Sequence, residues 1–214
     1  MKIEAANKTL SNDLAMLHRR EIETGFLSKL GDAFLELLYR SMIESDGTIC
    51  LAALDQGELA GFICGCENTA HFYKNFLRHH FFSTVIRAVP ALFRRGTVKG
   101  LYESLHYAGS LSTYPAELVS MVVRDRWRGS GLAPDLLKEL AIEFERRGVS
   151  DFTVVAGSEL ATANAFYRKM GLRAAGTIEV HAGVVSHVYE AHVSDLIEPS
   201  QNPTMKKNDV RESR

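Results

Sequence analysis

A chain of 214 residues is long enough for one domain with an elaboration and short for two full domains. With 46% apolar and 24% charged residues it can bury a sizeable core. A formal net charge of -1 excludes the usual nucleic-acid binder, which needs surplus Lys and Arg to neutralise phosphates.

The N-terminal MKIEAANKTL lacks the apolar run of a leader peptide, and no stretch approaches the ~20 apolar residues of a membrane span. The expected location is the cytoplasm. Cys50, Cys64 and Cys66 fit that compartment as small buried residues, since Cys-x-Cys matches neither a zinc pair nor a redox Cys-x-x-Cys.

From His18 to Ile43 apolar residues recur at helical spacing, and Gly25 and Gly31 break the run into two short helices. Thr48–Leu54 and Leu59–Cys66 read as strands of a hairpin turning at Asp55-Gln56-Gly57-Glu58. Gly61 and Gly65 weaken the second strand unless another backbone or side chain approaches closely there.

Residues 67–112 differ in character. Aromatic residues such as Phe72, Tyr73 and Phe76 alternate with basic ones, predicting two or three amphipathic helices broken at Pro90 and Gly96. Adjacent His79 and His80 point to different sides of a helix, and with His71 and His106 they make no convincing metal set.

The remainder alternates. Glu117–Val123 is a strand, Gly131–Arg147 a helix stopped by Gly148, and Asp151–Ala156 a strand. Ala161–Met170 is a helix closed by Gly171. Strands at Ala174–His181 and Val184–Val193 follow. One domain therefore spans residues 1–193, and the polar segment 194–214 reads as a disordered tail.

The chemistry concentrates in Arg126-Trp127-Arg128-Gly129-Ser130-Gly131-Leu132-Ala133, which follows an apolar strand and opens an amphipathic helix. A glycine-rich turn in that setting can aim several backbone N–H groups at an anion. Pro134 falls in the first helical turn, where a missing N–H costs no intrahelical bond. A plain strand-to-helix turn would look similar. The segment is no Walker A loop, and no acidic residue ends the Asp151–Ala156 strand to hold a ribose.

The run Arg126-x-x-Gly129-x-Gly131 resembles the Gln/Arg-x-x-Gly-x-Gly/Ala signature of the GNAT superfamily of acyl-CoA N-acyltransferases. The strand Ala116–Val123 is similar to that family's fourth strand. Ala161-Thr162-Ala163-Asn164-Ala165-Phe166-Tyr167-Arg168-Lys169-Met170-Gly171-Leu172 is similar to its second motif. The resemblance covers roughly residues 115–193 and, more weakly, 48–66.

It implies an α/β fold with a mixed, largely antiparallel central sheet flanked by helices, splayed between the fourth and fifth strands. The helical segment 67–112 is an insert between strands 3 and 4, where simple members have a short turn. The implied activity is transfer of acetyl from acetyl-CoA, without a metal, to a primary amine of a small molecule or amino sugar. A protein lysine or N-terminal amine is the alternative acceptor, and a non-catalytic acyl-CoA sensor the alternative class.

The resemblance also implies roles. Backbone amides from Arg128 through Ala133, including Gly129, Ser130, Gly131 and Leu132, bind the pyrophosphate, with Arg126 and Arg128 near the phosphates. Met121, Val122 and Val123 pair with the pantetheine arm as an added strand would. Asn164 contacts the pantetheine region and Tyr167 protonates the departing thiolate; three residues apart on a helix, they share a face. Glu117 is the candidate base, needed because amines arrive protonated. It is equally readable as a solvated strand-end charge. Trp127 and Phe166 read as packing residues. The insert is expected to be a cap core, an acceptor lid, a homodimer contact or a membrane-surface patch.

Overall fold

The computed structural model describes residues 1–22, 26–92, 114–181 and 184–198. Seven strands form one sheet: β1 Lys2–Ala5, β2 Thr48–Asp55, β3 Glu58–Cys66, β4 Glu117–Val123, β5 Asp151–Gly157, β6 Arg173–His181 and β7 Val184–His192. Their order is β1-β2-β3-β4-β5-β7-β6, and every neighbouring pair is antiparallel except β4–β5. The expected mixed sheet is therefore present. β1 is an addition: four residues gave too short a run to signal a strand, and pairing with Leu51–Leu54 holds it.

Helices α1 Ser11–Glu21, α2 Phe26–Lys29, α3 Asp32–Glu44 and α4 Thr69–Leu92 precede β4. Helices α5 Leu132–Arg146, α6 Ala161–Lys169 and α7 Val193–Ile197 follow it. The break at Gly31 is real, but α1 starts seven residues before His18, because Leu14, Ala15 and Leu17 already face the core.

Two cores lie on opposite faces of the sheet. On one, α5 buries Leu132, Leu136, Leu137, Leu140, Ala141 and Phe144 against β2, β3 and β4. Each such side chain contributes about 1.5–3 kcal/mol through burial. Gly61 and Gly65 explain themselves here. A Cβ on Gly61 would sit 2.7 Å from the Val122 carbonyl oxygen, and one on Gly65 2.7 Å from Leu140 Cδ1. The other face is covered by α1, α3 and α4, through residues such as Leu14, Phe34, Leu38, Phe72 and Phe76.

Two expectations need correction. Helix α4 does not break at Pro90 but runs through it to Leu92. Its irregularity is a kink at His80 (φ -116°, ψ 15°), where the imidazole Nε2 meets Ser41 Oγ at 3.2 Å. Gly96 lies outside the described residues. Order also continues past Ser194, because α7 buries Val193 and Leu196 against the α5 side of the sheet.

Candidate active site

β4 carries the site because it parts from its neighbour. Only Glu117 and Leu118 pair with β5, opposite Thr153 and Val154. Beyond them the β5-facing edge of β4 is open. The parting coincides with a bulge: Cys64 pairs with Ser120 and Gly65 with Leu118, leaving Val119 as the extra residue. A bulge bends its strand and increases local twist, which turns β4 away from β5. Met121, Val122 and Val123 lie on the open stretch, with Val122 buried and the other two half-buried.

β4 ends in a 3-10 turn, Asp125–Trp127, and then two glycines with positive φ, Gly129 at 77° and Gly131 at 93°. Side chains rarely adopt that conformation. The turn consumes two amides: Arg128 N–H donates to the Asp125 carbonyl at 3.0 Å and Ser130 N–H to the Trp127 carbonyl at 3.3 Å. Ser130 Oγ donates to the same Trp127 oxygen at 2.6 Å. The amides of Gly129, Gly131, Leu132 and Ala133 have no acceptor among the described residues. Four donors at the positive end of a 15-residue helix suit a diphosphate.

The arginine side chains are engaged elsewhere. Arg126 pairs with Glu58 and stacks over Trp127, its guanidinium carbon 3.7 Å from the ring centroid. Arg128 reaches Glu21 Oε2 at 2.6 Å and Asp125 Oδ1 at 2.5 Å, and its Nε donates to the Val123 carbonyl at 3.2 Å. Glu21 is nearly buried, so this arginine joins the end of α1 to the turn. Trp127 is half-buried packing, as expected.

On α6, Asn164 and Tyr167 do share a buried face. The Asn164 amide is spent internally: Nδ2 donates to the Gly157 carbonyl at 2.8 Å and the Leu160 carbonyl at 2.9 Å, and Oδ1 accepts from the Tyr189 hydroxyl at 2.9 Å. The Tyr167 ring is buried against Phe166 and Tyr189. Among the described residues its hydroxyl makes no hydrogen bond. Burial, and secondarily Tyr189, pushes its pKa well up, so the phenol stays protonated at neutral pH.

Glu117 opens β4. Its carboxylate has no hydrogen bond or ion pair among the described residues, although protein surrounds it and only part of the side chain meets solvent. Burial raises its pKa to about 7, a rise that the nearby Thr69 hydroxyl moderates. It is no solvated strand-end charge.

Two neighbours of β4, His18 and Tyr39, carry no spacing signal in the sequence. His18 Nδ1 lies 2.5 Å from the Tyr39 hydroxyl, which in turn lies 3.0 Å from Ser120 Oγ. This buried chain joins α1, α3 and β4. Burial drops the His18 pKa to about 4, so the imidazole is neutral, and its Nε2 has no partner. Local patterns could not reveal it, because 21 and 81 residues separate the contacts.

Residues 97–192 match a family model described as an acetyltransferase (GNAT) domain. That segment is similar to the GNAT acetyltransferases. The match supports an acyl-CoA-dependent acetyltransferase with acetyl-CoA as the acetyl donor.

Solved structures of the same fold include an aminoglycoside 6'-acetyltransferase type Ii, 18% identical, with a TM-score of 0.58 over 90% of this chain and 97% of that one. An aminoglycoside 6'-N-acetyltransferase complexed with coenzyme A is 17% identical, with the same TM-score and the same coverage. A ribosomal-protein-alanine N-acetyltransferase from Brucella melitensis is 18% identical, with a TM-score of 0.57 over 90% of this chain and 99% of that one. No curated protein sequence matches the chain. Among the described residues, no helix is long and apolar enough to cross a membrane, and no group of His, Cys, Asp and Glu is placed to hold a metal.

Proposed function

We propose that the protein acetylates a primary amine of a small molecule or amino sugar by direct attack of the amine on the acetyl-CoA thioester. The observation that carries this reading is the set of four unpaired amides at Gly129, Gly131, Leu132 and Ala133, beside the open edge of β4. In this reading they hold the diphosphate, and the pantetheine arm lies along Met121, Val122 and Val123 in place of a strand. Arg128 then releases the Val123 carbonyl, and Arg126 and Arg128 frame the turn. Asn164 acts from behind, fixing the start of α6 and with it Tyr167.

Acetyl-CoA, when bound, supplies the activated acyl carbon; two side chains do the proton work. With a pKa of about 7, Glu117 is ionised often enough near neutrality to accept a proton from an ammonium group. Tyr167, held protonated by burial, donates to the departing sulfur.

The structural relatives named for aminoglycosides support an amino sugar as the first acceptor to try, and the one named for ribosomal-protein alanine supports a protein N-terminus as its competitor. Free thiol released from acetyl-CoA should be followed with kanamycin, glucosamine and spermine, and separately with a peptide bearing a free N-terminal alanine. Turnover with an amino sugar or polyamine is the expected result. Turnover with the peptide alone would overturn the small-molecule acceptor.

A further inference from the structure

At the root of the insert, three polar side chains meet with no cation beside them among the described residues. Glu117 lies opposite Cys66 in the β3–β4 register, and the Thr69 hydroxyl acts on its carboxylate. Thr69, in the first turn of α4, is 1% exposed, and its Oγ1 is sealed from solvent with no partner. Its backbone is fixed, since its N–H donates to the Pro115 carbonyl at 3.1 Å, two residues before Glu117. Tyr73 follows one helical turn later. Among the described residues its hydroxyl makes no hydrogen bond, and it sits close enough to Glu117 that the carboxylate's charge acts on the phenol.

Among the described residues no cation neutralises this acid. Burial pushes the Cys66 thiol up to about 11, which keeps it uncharged, and Glu67 is occupied by Arg147 at 2.7 Å. Buried polar groups are normally satisfied, so a carboxylate faced among the described residues only by hydroxyls lacks a cation that donates hydrogen bonds. Glu117 and Tyr73 are each partly open to solvent, whereas Thr69 is not. The cluster therefore has an accessible side and a closed floor. Phe72 packs beside Tyr73, with ring centroids 5.4 Å apart, and supports that wall from the core.

We propose that α4 supplies half of the acceptor site: Tyr73 and Glu117 seat the acceptor's alkylammonium group, and Thr69 holds the Glu117 carboxylate in place. The carboxylate faces the cation, the Tyr73 hydroxyl accepts one N–H, and the Thr69 hydroxyl donates to the carboxylate. Tyr73 is thus a specificity residue and Thr69 a positioning residue. The inference rests on the reading of Glu117 as the base, and it assigns acceptor choice to the insert.

The test follows the Glu117 side-chain carbon by NMR against pH in the protein without acetyl-CoA, the resonance being assigned by its loss in Glu117→Gln. n-Propylammonium chloride is the probe, and potassium chloride at equal ionic strength the control. Propylammonium should lower the titration midpoint where potassium does not. Tyr73→Phe should raise the half-saturating propylammonium concentration about fivefold, the loss of one hydrogen bond. Thr69→Val should raise the midpoint without amine, and Thr69→Ser should restore it. Equal shifts from the two salts, or amine responses unchanged in Tyr73→Phe, would overturn the proposal. If Glu117→Gln kept full acetyl transfer while these shifts appeared, the seat would stand and the base assignment would fall.

Discussion

The Tyr189 hydroxyl donates a 2.9 Å hydrogen bond to Asn164 Oδ1, locking β7 to the first turn of α6. The same tyrosine ring lies 5.7 Å from Tyr167. Asn164→Ala would remove one hydrogen bond each from the Gly157 and Leu160 carbonyls and the Tyr189 hydroxyl, which keep the Leu160 N–H, the Asn164 backbone N–H and Arg168 as partners. The expected cost is about 2–4 kcal/mol, read as a lower urea midpoint, with kcat falling because Tyr167 loses its support. Unchanged stability with a raised acetyl-CoA KM would show instead that Asn164 serves the coenzyme directly.

Tyr167→Phe removes only the hydroxyl, which makes no hydrogen bond in the structure. The fold should keep its stability within about 0.5 kcal/mol. Acetyl-CoA KM should hold while kcat drops by about 10²-fold or more, the usual scale for losing a general acid. A full-rate variant would remove the proton-donor role.

Glu117 gives paired predictions with opposite signs. Its folded pKa is raised from 4.5 to about 7 by burial, so the native state favours the protonated acid. Ionising it costs stability progressively as pH rises from 4.5 to 7, and fully above 7. Glu117→Gln should therefore be more stable than the parent at pH 8, by on the order of 3 kcal/mol at most, and equal to it near pH 4. Denaturant midpoints at the two pH values check this. Activity moves the other way. The variant should be slow at neutral pH and recover at higher pH, where more of the amine is already neutral.

Gly61 and Gly65 separate packing from site geometry. A methyl on Gly61 meets the Val122 carbonyl, which is backbone and cannot step aside, so β4 must move. Gly61→Ala should cost about 1–3 kcal/mol and raise the acetyl-CoA KM. On Gly65 the methyl meets the ends of Leu140 and Phe144. Gly65→Ala should lose stability on a similar scale and leave that KM alone. Thermal melts with steady-state kinetics on both variants make the comparison.

Much of the second half was legible because its signals are local. The α5 stripe repeats at helical spacing, and Gly129 and Gly131 mark a turn that only positive φ can make. The glycine turn was visible for that reason. What stayed hidden depends on partners far along the chain. The turn itself keeps the Arg128 and Ser130 amides, and Glu21 and Glu58 claim the arginines; no motif announces either pairing. Nor does spacing reveal that Thr69 and Tyr73 would flank Glu117, because the insert's fold decides it. The break expected at Pro90 failed because a proline costs one hydrogen bond to the preceding turn, which a helix can bend around without stopping.

The two-rung contact between β4 and β5 has a mechanical consequence. The sheet behaves as two panels, β1–β4 and β5–β7, stitched at Glu117 and Leu118 and clamped by the helices across them. An extended ligand hydrogen-bonding along Met121 to Val123 would add rungs beside that seam. Rigidity would then be borrowed from the cargo, and amide exchange along β4 would slow whenever the donor is aboard.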